Sequence, residues 1–327
     1  MKFKIDGFVL SIIAVIGIAY IFPQWGTAAS RVPIDTISAI GISLIFFFYG
    51  LKLSPQKLKA GLKNWKLHLL VQASTFLIFP LIVLTFYPLM QNEEQETLWL
   101  AFFFLAALPS TVSSSVVMVA MAKGNIPAAI FNASISGIIG IVLTPIWMGL
   151  FVQNTQADFD FTEIYTKLLL QILVPVFLGL LLQRFLGVLA QKYSSQLSLF
   201  DKSIILLIIY KSFAESFEAK IFGSVSLLDL VMLFIGVLAL FFLVFFSTGI
   251  TAKKLKFNLE DQITAQFCGT KKSLVHGTVF SKILFGKMAS IGIILLPLMI
   301  YHASQILIMS IIAGKLARRK AVGEGSI

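Results

Sequence analysis

Ten stretches of this chain are apolar enough to be solvated by lipid rather than water, and that constrains the fold more than any motif does. They run near residues 8–22, 35–52, 67–89, 97–122, 126–151, 164–189, 199–214, 226–250, 262–284 and 288–314. A helix needs roughly 20 apolar residues to cross the hydrocarbon core, and most of these runs supply them. With 58% of its 327 residues hydrophobic and only 13% charged, the chain has no long polar stretch from which to build an extramembrane domain. The runs also lack the alternation of a membrane β-barrel. The expected fold class is an all-α polytopic membrane protein.

A net charge of +11 would suggest nucleic acid in a soluble chain, but here the basic residues are sorted by loop. One side receives Lys2, Lys4, Lys52, Lys57, Lys59, Lys63, Lys66, Lys123, Arg184, Lys192, Lys202, Lys253, Lys254, Lys256 and the tail Lys315, Arg318, Arg319 and Lys320. The other receives Glu93, Glu94, Glu96, Asp158, Asp160 and Glu163. The positive-inside rule then puts both termini in the cytoplasm, which demands an even number of spans. Lys2, Lys4, the run 8–22 and Ala28-Ala29-Ser30 have the outline of a signal peptide. Removing that segment would leave an odd span count, so it reads as the first span. The single cysteine, Cys268, excludes an intramolecular disulfide.

Two of the spans are broken. Pro109 interrupts the fourth, followed by Ser110, Thr111, Ser113, Ser114 and Ser115, five hydroxyls in six residues. Proline removes a backbone donor and evicts the carbonyl one turn back, so orphaned groups must find partners inside protein. The hydroxyls supply such partners, and equally suit a small cation. The ninth span carries Cys268-Gly269-Thr270-Lys271-Lys272-Ser273 at its centre. Dividing the chain after residue 155 gives two groups of five spans, residues 1–155 and 156–327, each broken in its fourth member. Five is odd, so the groups lie inverted in the membrane, the pattern of secondary transporters whose half-helices meet at the substrate.

Few other polar groups lie deep. Gln72 and Thr75, Asn132 and Ser136, and Gln266 and Thr270 each share one helix face. An unpaired amide in hydrocarbon costs several kcal/mol, so each needs a partner, either in the bundle or in an ion. Lys271 and Lys272 are the sharpest signal, because a charge at mid-membrane is functional by default. Either they meet an anionic substrate in a wet cavity, or one stands in a cation's place as a tethered charge. His276 follows Lys272 by one turn. His68 and His302 sit near span ends and read as interfacial, and the eighth and tenth spans as facing lipid or bulk packing. Gly137 and Gly140 suit close packing against the broken fourth span. No metal-site spacing, hydrolytic triad or phosphate loop occurs, so an enzyme or a resident cofactor is not expected.

The segments Phe48-Tyr49-Gly50-Leu51-Lys52-Leu53-Ser54, His68-Leu69-Leu70-Val71-Gln72, Leu108 to Met118 and Phe267 to Leu274 together resemble the bile acid:sodium symporter superfamily, in its SBF-like membrane branch. The resemblance covers nearly the whole chain. It implies ten transmembrane helices as two inverted five-helix repeats, with helices 4 and 9 broken and crossing in a core domain. A panel domain of the first, second, sixth and seventh helices would lie beside it, in a membrane that for a bacterial member is the inner one. In the family's first sodium site, Ser114 and Ser115 match the Ser-Asn pair, with serine where asparagine is usual, Asn132 and Ser136 are the nearest fifth-helix equivalents, and Gln266 falls at or beside the glutamate position. The second maps onto Gln72, Thr75, Gly269 and Thr270.

The function expected is secondary active transport of a small organic anion, with sodium, a proton or no ion as driver. Lys271, Lys272, Pro109, Thr111 and His276 are the substrate-binding candidates. Ser113, Ser114, Ser115, Asn132, Ser136, Gln266, Thr270, Gln72 and Thr75 are the ion-binding ones. A non-transporting membrane regulator of the same fold and a channel are the rival readings. Polar groups clustered at one depth favour a carrier over a channel.

Overall fold

The structure is a computed structural model, and it describes residues 7–27, 32–53, 64–111, 113–152, 166–167, 169–220, 226–285, 288 and 290–318. Outside the described residues lie Ala28-Ala29-Ser30, the boundary at residue 155, Val112, the side chain of Ser113, Lys2, Lys4, Ser54, Lys57, Lys59, Lys63, Asp158, Asp160, Glu163, Arg319 and Lys320.

Every regular element among the described residues is helical. In order they are α1 (Gly7–Ile21), α2 (Ile34–Lys52), α3 (Trp65–Ala73), α4 (Phe79–Leu84), α5 (Glu93–Ala107), α6 (Ser113–Met121), α7 (Ile126–Val152), α8 (Val174–Lys192), α9 (Ser194–Glu218), α10 (Leu227–Lys254), α11 (Leu259–Thr270), α12 (Leu274–Phe285) and α13 (Ile291–Ala317). A wide π turn, Ser74–Ile78, joins α3 to α4, and a second, Leu169–Leu173, leads into α8. Six stretches are long and apolar enough to cross a membrane: 34–52, 65–89, 126–151, 169–192, 227–254 and 291–317. The chain is an integral membrane protein. The remaining expected spans are the shorter α1, the charge-bearing α9, and the pairs α5–α6 and α11–α12, each interrupted where the sequence places a break.

Local chemistry sets the helix starts. Asn92 accepts from the Gln95 N–H at 2.9 Å to begin α5, and Ser226 with Asp229 forms a reciprocal capping box on α10. Asn258 caps α11 at the Asp261 N–H. The Asp261 carboxylate, 6% exposed, then accepts from Asn64 Nδ2 at 2.6 Å and Asn125 Nδ2 at 2.8 Å. Those two residues stand at the starts of α3 and α7, so three positive helix ends share one negative charge. The beginnings of three core helices are thereby pinned together.

Glycine sets the closest approach. A Cβ on Gly50 of α2 would lie 2.2 Å from the Val176 carbonyl oxygen, and one on Gly179 of α8 would lie 2.2 Å from that of Phe47. Backbone therefore rests on backbone between α2 and α8, while α1 packs on α9. Gly140 of α7 fits against the Pro109 ring, as its sequence position suggests. Gly137 instead receives Tyr49 of α2 and His276 of α12.

The two spans expected to face lipid or bulk packing divide between those roles: most of the apolar stretch of α13 is buried inside the protein, whereas only a third of that of α10 is. The Tyr301, His302 and Gln305 side chains of α13 point into the protein, and two of them reach the second break.

Candidate functional site: the crossing of the two broken helices

The breaks touch. The Ser273 N–H donates to the Pro109 carbonyl at 2.8 Å, and Ser110 Oγ donates to the Cys268 carbonyl at 2.8 Å. Two irregular segments, 158 residues apart in the chain, thus satisfy part of each other's main-chain requirement.

The rest is satisfied in a way that follows from the residues. Pro109 ends α5 and frees the carbonyls of its last turn. Thr144 of α7 donates to the Ala107 carbonyl at 2.8 Å, and Ser136 Oγ accepts from the Ser110 N–H at 2.9 Å. Across the crossing, Gln305 of α13 acts as a substitute peptide group. Its Oε1 accepts from the Lys272 N–H at 2.9 Å and its Nε2 donates to the Lys272 carbonyl at 2.8 Å. Tyr301 donates to the Thr270 carbonyl at 2.5 Å. Ser273 then caps α12 at the His276 N–H, and its hydroxyl lies 2.9 Å from His276 Nδ1.

Replacing Gln305 with leucine orphans both main-chain groups of a fully buried residue, so we expect a loss of about 2–4 kcal/mol. Thermal melting in detergent checks this, and an unchanged melting point would refute the substitute-peptide role.

Lys272 is completely enclosed. Its Nζ donates to the carbonyls of Thr75 at 2.8 Å, Ala106 at 2.6 Å and Leu108 at 2.8 Å, and lies 4.1 Å from the Phe79 ring centre. An ammonium has three donors, and all three are used. The π turn explains the Thr75 oxygen. The Phe79 N–H has stepped back to Ser74, and the next residue, Pro80, has no N–H to give. Thr75 is thereby left without a helical donor, and Phe76 takes one from Trp147 at 2.9 Å.

Lys271 is equally buried, but its Nζ has no hydrogen-bond partner among the described residues. Neither lysine has a carboxylate partner there. Thr270 Oγ1, Gln72 Oε1 and His276 Nε2 are also buried without a partner. Native proteins leave few such atoms unsatisfied, and Thr270 and Lys271, adjacent in the chain at the second break, are two of these four.

The other candidates separate into groups. Thr111 Oγ1 lies 2.8 Å from Ser114 Oγ and 2.9 Å from Ser115 Oγ, a hydroxyl cluster at the start of α6. Asn132 faces α3: it takes Gln72 Nε2 at 3.2 Å and sits 2.9 Å from His68 Nδ1. Ser136, one turn along, serves the first break instead. The Thr75 hydroxyl bonds back to Val71 at 2.8 Å, so its carbonyl and not its side chain reaches the site. Gln266 turns to α10, donating to the Phe245 carbonyl at 3.2 Å through a slot opened by Gly249.

His68 and His302 are both buried within the protein. Gln305, Tyr301 and Thr144 are the site residues that sequence reasoning passes over. An amide alone in an apolar span is the signal that would have found Gln305.

Two half-helix N-termini and two half-helix C-termini meet inside a helical bundle. The model of the SBF-like CPA transporter family matches residues 6–318. An uncharacterized Pseudomonas aeruginosa protein is 36% identical over 98% of this chain and 95% of its own length. Sodium/bile acid cotransporter 7 of Danio rerio is 32% identical over 94% of this chain and 92% of its own, and that of Rattus norvegicus 31% over 94% and 91%. The chain belongs to the SBF-like CPA transporter family, a family of transporters and not of enzymes.

Proposed function

We propose that this protein is a secondary active transporter of a small organic anion, working by alternating access with its substrate at the crossing. The observation that carries the reading is Lys271, a buried amine with no partner among the described residues, set where two broken helices meet. Lys272 has no donor to spare, so Lys271 is the residue that holds the anion's charge. The N-termini of α6 and α12, with Thr111, Ser114 and Ser115, add dipoles and hydroxyls of the right sign. The relatives named sodium/bile acid cotransporters support an organic anion with sodium as driver. A proton remains the alternative driver, since Gln266 carries no charge.

Ten crossings in two inverted repeats, with both termini cytoplasmic in a bacterial inner membrane, fit this mechanism. The pairings support it: the first span packs on the seventh, and the second on the sixth. Exchanging the two repeats turns one pairing into the other. Asp35 of α2 bonds Lys211 of α9 at 2.6 Å within the panel and Lys282 of α12 at 2.9 Å, the second an ionic latch between panel and core. Such exposed pairs are worth about 1 kcal/mol or less each, weak enough to open in every cycle.

Uptake by proteoliposomes of a panel of labelled organic anions, under sodium or proton gradients, tests the proposal. Saturable, gradient-driven accumulation of at least one anion is expected. Folded protein that moves none of them would instead be a regulator, and unsaturable flux would be a channel.

A further inference from the structure

The groups around Lys272 are not those of an ordinary buried ion pair. Three oxygens from two segments, Thr75 on the π turn and Ala106 and Leu108 at the end of α5, surround Nζ at 2.6–2.8 Å. The Phe79 ring closes another side at 4.1 Å. Each oxygen is exposed by the chain's own covalent structure. Pro80 denies Thr75 a donor, and Pro109 ends the helix whose last carbonyls are those of Ala106 and Leu108. The oxygens would converge whichever side chain stood at position 272. Neutral main-chain oxygens and an aromatic face form a coordination shell for a monovalent cation. A divalent ion would call for carboxylates and more ligands.

We propose that this cage is a monovalent-cation site whose occupant is covalently built in. The Lys272 ammonium stands where a free ion would bind, so no sodium or potassium is loaded at this place during the cycle. The consequence for coupling rests on the transport reading above, whereas the site itself does not. The tether also fixes the π turn, α5 and the second break as one unit. Removing it opens the cage to a small free cation.

The test is Lys272→Ala purified in detergent and melted, by tryptophan fluorescence, in choline, sodium, potassium or ethylammonium chloride at equal ionic strength. The wild-type protein is expected to melt at one temperature in choline, potassium and ethylammonium, and any shift in sodium is that of a driver ion bound elsewhere, which the variants share. The variant should melt several degrees lower in choline and recover roughly 5 °C or more, saturably, in at least one small cation. Lys272→Met, whose side chain fills the path of the lysine stem, should recover nothing beyond the shift of the wild-type protein. Three outcomes overturn the proposal: a variant indifferent to the cation, a wild-type protein that shifts as much as the variant, or a variant unfolded in all four salts. Uptake is not read in this experiment, so failure of the transport reading and failure of the cage are told apart.

Discussion

Lys271→Met is expected to reduce anion uptake to the level of empty vesicles and, at the same time, to raise the melting temperature. The two effects have one cause. The Lys271 amine is fully enclosed and lacks a hydrogen-bond partner among the described residues. An unsatisfied buried polar group costs about 1–3 kcal/mol, and more if it is charged. Methionine has nearly the same length and volume and no polar demand, so stability rises by about that amount. A gain of 1 kcal/mol is worth about 2 °C or more in melting temperature. Gaining stability while losing activity is how a functional group reveals itself. Uptake and melting of the same preparation check both signs. A variant that melts lower and still transports would reassign Lys271 to the scaffold. Its neighbour supplies the contrast, since Lys272→Met loses three hydrogen bonds and must be destabilised.

The largest loss of stability is expected from Gly50→Val. The Gly50 Cβ position lies 2.2 Å from the Val176 carbonyl oxygen and 3.0 Å from the Leu180 nitrogen, both main-chain atoms that cannot swing aside. In the membrane, helices associate mainly through close packing, because lipid is as apolar as leucine. Wedging α2 from α8 therefore removes contact along the whole pair with nothing to offset it. The expected cost is about 3–5 kcal/mol, above the usual range for overpacking. Gly7, with nothing within 4 Å of its Cβ position, is the control, and Gly7→Ala should leave melting unchanged.

Much of this was written plainly in the sequence. Hydropathy placed the helices within a few residues, because lipid imposes one length scale on every span. Pro109 with its hydroxyl cluster, and the lysine pair in the run 268–273, announced the breaks; proline alone is not the signal, since α7 and α13 run unbroken through Pro145 and Pro297. The sequence did not say which way a polar side chain turns. Gln266 and Thr270 share a helix face, yet a glycine on a different helix, Gly249, gives Gln266 its slot. Asn132 and Ser136 share a face and serve different neighbours. Gln305 looked like one polar residue in a greasy helix because its partner is an N–H and a C=O 33 residues away, and main-chain groups leave no mark in a sequence.

That glutamine has a bearing on how the molecule is made. The irregular turn at Lys272 owes its shape to an amide synthesised 33 residues later. Until α13 enters the bilayer, the turn lacks its two main-chain partners and has no reason to hold its finished geometry. A chain cut short of α13 would be expected to insert its earlier helices yet never complete its centre.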